Sequence, residues 1–314
     1  MFTVKALICY FILTYLPLTA FSDKQISVSA DITKVYDLFY SDVERPKALS
    51  TLDSLIKVAK RANNSLHEVA LYNVQARLYN EQGEYANAIQ IALNAENMLK
   101  KLNEPKILAD IFLNLGNSYD LLGFYPKALE YIFKSLKIRD QINDTLGLNQ
   151  CYNNIANIQQ SMKENKIAKF NYFKSLRLAE ILKDTLALSI AYTNIASVYL
   201  EEDQPDSAKY YVNNIFKLNE NQTDNTDLIY AYGLLSDLFT RSNNLDSALF
   251  YQKLSSKYSE SFGTSYEKAS AQSGLAFILL KNNKIKEAKI AADLALTLSL
   301  KIQNKETILS SYET

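Results

Sequence analysis

An alanine recurs every 40 residues along this chain, and this period limits the possible folds more than any other feature. No insertion or deletion interrupts the series. The alanines are Ala48, Ala88, Ala128, Ala168, Ala208, Ala248 and Ala288. Short stretches return at the same interval, for example the sequence FKSL at residues 133–136 and again at 173–176. Periods of about 20–50 residues are typical of stacked repeat arrays, so we predict an array and not a single globular core.

A second small residue precedes the repeated alanine by 12 positions in six of the repeats. These residues are Ala76, Gly116, Ala156, Ala196, Ser236 and Ala276. Two small positions in one repeat indicate two helices, because a missing side chain lets two helix axes approach closely. The whole chain has 7 Gly and 5 Pro, so the connections between helices must be short. Each repeat is therefore predicted to be a helical hairpin with helices of about 18 and 16 residues.

Residues that start and stop helices follow the same period. The predicted N-caps of the first helices are Asn64, Asp144, Asp184, Asp224, Thr264 and Asn304, with Glu104 followed by Pro105 in the equivalent place. The predicted turns inside the hairpins contain Gly83, Gly123, Lys163, Asp203, Asn243 and Asn283. Most of these residue types tolerate the left-handed conformation that ends a helix. Pro46, Pro126 and Pro205 fall near the start of second helices, where a missing N–H group costs nothing.

These units resemble tetratricopeptide repeats. The stretch from Leu113 to Leu136 carries the small, aromatic, glycine and alanine residues of that motif as Gly116, Tyr119, Gly123 and Ala128. The resemblance implies an all-α, right-handed superhelix (an α-solenoid) of about seven helix-turn-helix repeats over residues 31–314. The six additional residues per repeat resemble the long-helix subtype of kinesin light chains and bacterial sensor proteins. In this register the last repeat, which follows Asn304, is incomplete.

The amino terminus is typical of a secretory signal. Residues 1–22 contain one Lys, an apolar run from Ala6 to Phe21, and Ala20 and Ser22 as a small-x-small cleavage site. We expect a signal peptide over 1–22, a short linker over 23–30, and a secreted or periplasmic protein. The alternative is a segment that is not cleaved and stays as a membrane anchor.

Composition argues against several classes of function. The chain has 34 basic and 34 acidic residues, so no basic surplus favours nucleic acid as a partner. It has one histidine, His67, and no phosphate-binding glycine loop or metal-ligand spacing. His67 is interpreted as a surface or capping residue, and Cys151, which has apolar neighbours, as a packed thiol. We expect no enzymatic activity, no cofactor and no metal.

Asparagines recur on one face of successive first helices. Asn114, Asn154 and Asn194 share one repeat position, and Asn117 and Asn157 share a position three residues later. The tetratricopeptide resemblance places first helices on the concave face, where such amides act as clamps on a peptide backbone. Asn73 and Asn153 occupy the position where chaperone-binding relatives carry a lysine, and they complete the candidate peptide-binding set. The alternative is that these amides bridge neighbouring helices.

Aromatic residues cluster just after the repeated alanine on the second helices. They are Tyr131, Phe133, Tyr172, Phe173, Tyr210, Tyr211, Phe250 and Tyr251. This spacing favours packing between repeats over a ligand-binding stripe.

The sequence therefore favours a non-enzymatic scaffold that binds a protein or peptide segment outside the cytoplasmic membrane. The alternative function is the sensory input region of a larger signalling protein, a histidine kinase or a transcriptional regulator, whose membrane and output parts are not in this chain. Contact with a membrane is expected only if the signal segment is retained or a downstream span exists.

Overall fold

The structure is a computed structural model that describes residues 23–41, 45–220, 225–302 and 308. The predicted signal segment 1–22 and the incomplete repeat after residue 302, residue 308 excepted, lie outside the described part. Within these described ranges the chain forms fourteen α-helices that pack in consecutive pairs, an all-α solenoid. None of the described helices is both long and apolar enough to cross a membrane.

The chain divides into two compact units, with the boundary between Ile158 and Gln159 near the end of the seventh helix. We call the described residues up to Ile158 the amino-terminal unit. Its helices are α1 (Asp23–Tyr40), α2 (Arg45–Arg61), α3 (Ser65–Glu81), α4 (Tyr85–Leu99), α5 (Pro105–Leu121), α6 (Tyr125–Gln141) and α7 (Thr145–Ser161, which crosses the boundary). Helices α1, α3 and α5 are the first helices of their hairpins. Helix α1 contacts α3, and α3 contacts α5.

We call the described residues from Gln159 onwards the carboxyl-terminal unit. Its helices are α8 (Asn165–Leu182), α9 (Thr185–Glu201), α10 (Pro205–Asn219), α11 (Thr226–Arg241), α12 (Leu245–Phe262), α13 (Ser265–Lys281) and α14 (Ile285–Ile302). The first helices α9, α11 and α13 again contact one another in order. The hairpins thus follow the 40-residue period that the alanines predict.

Helix starts agree with the predicted caps at most positions. Asn64 and Asp184 each accept a hydrogen bond from the backbone N–H three residues later, and Thr264 forms a capping box with Glu267. Helix α11 begins one residue later than predicted, with Asn225 as its N-cap, and Asp224 lies outside the described residues. Asn304 also lies outside them.

The linker predicted over residues 23–30 is replaced by helix. Helix α1 begins at Asp23 and continues without a break to Tyr40. The physical reason is visible in the sequence, because residues 23–30 contain neither Pro nor Gly and nothing stops a helix there. The first helix therefore begins at Asp23, eight residues before the predicted start of the array at residue 31.

The predicted turn residues adopt the left-handed conformation in every hairpin where they were expected. Gly83 and Gly123 have φ of 74° and 78°, and the non-glycine residues at the same repeat position have φ between 56° and 65°. Those residues are Lys163, Asp203, Asn243 and Asn283. A left-handed residue ends the first helix and reverses the chain, so the turn length stays constant along the array.

Small residues lie where the helices cross. All seven repeated alanines are buried in the structure. The small residues that precede them by 12 positions in the sequence are buried as well. At Gly116 an added Cβ would lie 2.3 Å from Cγ1 of Ile132, so α5 and α6 touch through this position. The two small positions therefore set the distance between the helices of a hairpin, as predicted.

Stacked aromatic pairs hold three hairpins together. Tyr119 stacks on Tyr131 with ring centroids 5.6 Å apart, and Tyr199 stacks on Tyr211 at the same distance. Phe239 and Tyr251 repeat the arrangement at 5.4 Å. Each pair joins residues 12 positions apart on the two helices of one hairpin, so it packs the two helices together near their connecting turn.

Candidate functional site

The asparagine face of the amino-terminal unit is built from hydrogen bonds between successive first helices. On α5, Nδ2 of Asn114 donates to Oδ1 of Asn73 on α3 at 2.7 Å and lies 3.3 Å from the Asn73 carbonyl oxygen. Both side chains are partly exposed. The two residues are 41 positions apart, one repeat plus one residue, so repeat stacking brings them together.

A second amide pair extends this face. Nδ2 of Asn154 on α7 donates to Oδ1 of Asn117 on α5 at 2.7 Å. Asn117 is partly exposed and Asn154 is buried. These two pairs show that four of the predicted asparagines bridge neighbouring helices, the alternative that the sequence left open. A role in peptide binding stays a prediction for them.

Each bridge uses one half of each amide. The donor residues, Asn114 and Asn154, give Nδ2 to the bridge and keep Oδ1 outside it. The acceptor residues, Asn73 and Asn117, give Oδ1 and keep Nδ2 outside it. A peptide unit also has one donor and one acceptor, so each bridged pair retains the complementary set of groups.

The other three predicted asparagines differ in position. Asn153 is buried and Asn157 is partly buried on α7, in the amino-terminal unit, while Asn194 is buried on α9 in the carboxyl-terminal unit. All three take part in interactions within the protein. The structure therefore brings together Asn73 with Asn114 and Asn117 with Asn154, and places Asn194 in a different unit.

The repeat pattern did not reveal two further polar residues of this face, Asn80 and Ser118. Oγ of Ser118 lies 2.8 Å from Oδ1 of Asn80 and 2.8 Å from the carbonyl oxygen of Asn114. Nδ2 of Asn80 reaches the same carbonyl oxygen at 3.5 Å. A period search finds residues that recur, and these residue types occur at their positions in one repeat only.

A comparable polar contact lies in the carboxyl-terminal unit. Nε2 of Gln160 donates to Oε1 of Glu201 at 2.9 Å. Oε1 of Gln160 accepts from the hydroxyl group of Tyr172 at 2.8 Å. Gln160 and Tyr172 are buried. Because every oxygen and nitrogen named here has a partner inside the protein, this contact stabilises the stack of helices.

A buried arginine forms an ionic cluster in the amino-terminal unit. Arg139 is 2% exposed, and its two terminal nitrogens each lie 2.5 Å from a carboxylate, Asp110 on α5 and the cap residue Asp144. Its Nε lies 3.1 Å from Oγ of Ser135. The arginine therefore joins α5, α6 and the start of α7 and is satisfied within the fold.

Cys151 is a packed thiol, as predicted. Its Sγ lies 3.4 Å from Oγ of Ser135, and the side chain is buried in an apolar cluster with Ile132 and Ile155. Burial raises the pKa of the Cys151 thiol above its ordinary value, which disfavours the reactive thiolate.

The interpretation of His67 as a surface residue is wrong. The side chain is buried, and Nε2 lies 3.4 Å from Oδ2 of Asp31 on α1. The reason is that α1 packs against α3, and its Asp31 lies beside the first turn of that helix. The backbone N–H of His67 donates to the cap residue Asn64, which agrees with its predicted place near a helix start.

The second-helix aromatics that form stacked pairs do so within their own hairpins, not between repeats as predicted. Tyr131, Tyr211 and Tyr251 form the stacked pairs described above, and Tyr172 is buried. A contact between repeats is made by Phe173, whose ring centroid lies 6.1 Å from that of Tyr211 on α10. The aromatics Phe133, Phe173, Tyr210 and Phe250 are exposed. Adjacent residues on a helix point about 100° apart, so two neighbouring aromatics cannot both face the same partner.

No family model and no curated protein matches this sequence. Solved structures do match. A Rap protein complexed with competence and sporulation factor is similar with a TM-score of 0.65 and 13% identity, over 94% of this chain and 87% of that one. NprR in complex with its cognate peptide NprX has a TM-score of 0.60 and 13% identity, over 87% of this chain and 84% of NprR.

A third similar structure has an explicitly named repeat. It is a signal transduction ATPase with numerous domains from Pyrococcus horikoshii, with a tetratricopeptide repeat sensor. The TM-score is 0.65 at 14% identity, over 93% of this chain and 48% of that one. The fold is a tetratricopeptide-type helical repeat. At this level of identity the tetratricopeptide likeness concerns the fold alone.

Proposed function

We propose that this protein is a non-enzymatic scaffold that binds an extended peptide or protein segment along the first-helix face of its amino-terminal unit. The observation that carries the proposal is the pair of half-used amide bridges, Asn73 with Asn114 and Asn117 with Asn154. Each bridge fixes two side chains in place and retains one donor and one acceptor for a ligand.

The chemistry of these bridges suits an extended backbone. A bound strand offers its N–H and C=O groups to fixed partners, which gives affinity with little dependence on the ligand's side chains. Because the bridges already immobilise the amides, binding loses little side-chain entropy. Two proteins with a similar fold, Rap and NprR, were solved with a bound factor or peptide, which supports the same use of the fold here.

An isosteric substitution separates binding from helix bridging. In Asn73→Asp and Asn117→Asp the Oδ atoms still accept from Asn114 and Asn154, while the Nδ2 donors are lost. Ligands would first be selected from a random peptide library displayed on phage, with the full chain as bait. Two lost hydrogen bonds of about 0.5–1.5 kcal/mol each predict a decrease in affinity of roughly 5- to 150-fold.

The matched control adds the same charge elsewhere. Asn87 and Asn94 on α4 are exposed, and their change to Asp should leave peptide affinity within about twofold. Peptides that bind the double variant as tightly as the unchanged protein would contradict the proposed site. Failure to select any peptide that binds this unit would contradict the proposed function itself.

Export from the cytoplasm is part of the proposal. It is supported by the apolar run and the small residues Ala20 and Ser22 in the first 22 residues. The expected result is a mature amino terminus at Asp23, measured by mass spectrometry of protein purified from the cell envelope. An intact Met1 in that fraction would favour the retained anchor.

A second candidate function is the sensory input region of a larger signalling protein. It is favoured by the likeness to the signal transduction ATPase, in which the similar region makes up about half of the chain. An open reading frame that continues in frame past Thr314 into an output domain would support this candidate. A stop codon directly after Thr314 would contradict it.

A further inference from the structure

The two asparagine bridges of the amino-terminal unit keep four polar groups available to a ligand. These groups are Nδ2 of Asn73 and Asn117, and Oδ1 of Asn114 and Asn154. Within the described residues none of the four groups makes a hydrogen bond, and none is buried. Solvent reaches even the Oδ1 atom of Asn154, whose side chain is the least exposed of the four at 9%. Each bridge therefore has one accessible donor and one accessible acceptor.

The places of the two bridges in the array set the distance between them. The first bridge joins α3 to α5, and the second joins α5 to α7. Neighbouring packed helices lie about 8–10 Å apart. Asn114 and Asn117 are three residues apart on α5, which adds about 4.5 Å along the helix axis. The centres of the two bridges are therefore separated by roughly 9–11 Å.

Two extended backbone conformations differ in how they fit this separation. A β-strand turns successive residues to opposite faces, so the groups on one face repeat about every 6.6 Å. One such repeat is too short for the bridges, and two repeats, about 13 Å, are too long. Polyproline II has three residues per turn and a rise of about 3.1 Å, so the groups on one face repeat about every 9.3 Å. The separation of the bridges therefore fits polyproline II, with three residues from one bridge to the next.

The charged residues next to the first bridge already have partners. Arg77, one turn beyond the bridge on α3, lies 3.3 Å from Glu81. Asp110, one turn before the bridge on α5, lies 2.5 Å from Arg139. A ligand therefore needs no charge to complement this part of the face, which suits a neutral segment.

We propose that the asparagine bridges bind a proline-rich segment in the polyproline II conformation, with a non-proline residue at each bridge and two residues between them. At each bridge the N–H group of the ligand residue donates to the accessible Oδ1, and a C=O group accepts from the accessible Nδ2. Proline has no N–H group, so it fits between the two contact positions and not at them. This inference rests on the proposed function and adds the class of ligand.

Proline between the contact positions also reduces the cost of binding. The ring fixes φ, so a proline-rich segment is already extended before it binds. It therefore loses little conformational entropy on the bridges, whose amides are held in place by their own hydrogen bonds. One non-proline residue followed by two prolines is the repeat that combines this property with an N–H group at each bridge.

The test compares three fluorescein-labelled peptides of about 12 residues, four turns of polyproline II. The first repeats Ala-Pro-Pro, the second contains proline only, and the third repeats Ala-Ser-Thr. Their affinities for the full chain are measured by fluorescence anisotropy. The Ala-Pro-Pro peptide should bind at least about fivefold more tightly than the proline-only peptide, which lacks both N–H donors. It should also bind at least about fivefold more tightly than the Ala-Ser-Thr peptide, which must be ordered on binding.

The double variant Asn73→Asp and Asn117→Asp locates the binding surface. It retains the acceptors of both bridges and loses both accessible donors, so the Ala-Pro-Pro peptide should bind at least about fivefold more weakly. Asn87→Asp with Asn94→Asp, two exposed residues on α4, is the matched control and should change the affinity by less than about twofold. Circular dichroism should give the same helix content for all three proteins. An equal loss of affinity in the control would place the peptide elsewhere and overturn the proposal.

The remaining outcomes separate this proposal from the proposed function. Equal affinity for the Ala-Pro-Pro and proline-only peptides would overturn the proposal, because the ligand N–H groups would then have no role. Tighter binding of the Ala-Ser-Thr peptide would overturn it and leave the proposed function in place. The same holds if phage-selected peptides bind at the bridges while the Ala-Pro-Pro peptide shows no binding at about 100 µM. If neither the library nor any of the three peptides binds, the proposed function fails as well.

Discussion

The two units of this protein have the same hairpin and different surface residues. Two residues after the repeated alanine on the second helices, the amino-terminal unit has Ser50, Gln90 and Glu130, and the carboxyl-terminal unit has Phe170, Tyr210, Phe250 and Ile290. At one first-helix position the residues also differ. The amino-terminal unit has Asn73, Leu113 and Asn153 there, and the carboxyl-terminal unit has the smaller residues Thr193, Gly233 and Ser273.

This difference shows what stacking requires and what it leaves open. The repeated alanines are buried in both units, because a larger side chain there would push two helices apart. Surface positions are not limited in this way, so each unit can present its own chemistry on the same backbone. The amides of the amino-terminal unit and the exposed apolar side chains of the carboxyl-terminal unit are examples of this difference.

The largest expected difference between the units concerns their arginines. Arg139→Met removes a buried cation and leaves Asp110 and Asp144 facing each other, which should cost about 2–4 kcal/mol of unfolding free energy. The comparison in the other unit is Arg177→Met, which breaks an exposed pair with Glu180 and should cost less than about 0.5 kcal/mol. Urea denaturation measures both, and similar losses would show that Arg139 is not a structural centre.

Two glycines within first helices should respond in opposite directions. In Gly116→Ala the new Cβ meets Ile132, and overpacking of about 1–3 kcal/mol outweighs the gain of about 1 kcal/mol in helix propensity. In Gly233→Ala the nearest atom, Oγ of Ser255, is 4.0 Å away, so the protein should gain about 0.5–1 kcal/mol. Thermal melts test the signs, and a stabilised Gly116→Ala variant would disprove the close contact.

A smaller effect is expected from the amide bridge. Asn114→Ala removes the hydrogen bonds to Asn73, and Asn213→Ala on α10 changes an exposed amide with the same gain in helix propensity. Relative to this control, Asn114→Ala should lose about 0.5–1.5 kcal/mol in urea denaturation. Equal stability of the two variants would mean that the bridge contributes nothing to the fold.

The smallest expected signal is the labelling of Cys151 in the folded state. Burial raises the pKa of this thiol, so at any given pH a smaller fraction is thiolate than for an exposed cysteine. Iodoacetamide at pH 8 should leave Cys151 unmodified in the native protein and label it in urea, as read by mass spectrometry. Rapid native labelling would reveal local opening of the amino-terminal unit.

Much of the fold was predictable because the repeat imposes local rules. The spacing of Ala128 and Gly116 defined a hairpin, and Asn64 and Thr264 defined helix starts, since capping depends on neighbours in the sequence. The left-handed turn at Lys163 was predicted from its repeat position alone. The missed boundary at α1 has the same origin, because the first repeat departs from the pattern that the other repeats share.

The sequence by itself determined the period, the hairpin and the asparagine positions on one helix face. Only the tertiary structure decided which amides meet, because a bond between Asn114 and Asn73 depends on the stagger of two helices 41 residues apart in the chain. It also decided that Tyr211 turns inward while Tyr210 turns outward. A periodic pattern records that a residue recurs, whereas burial depends on the angle at which two helices cross.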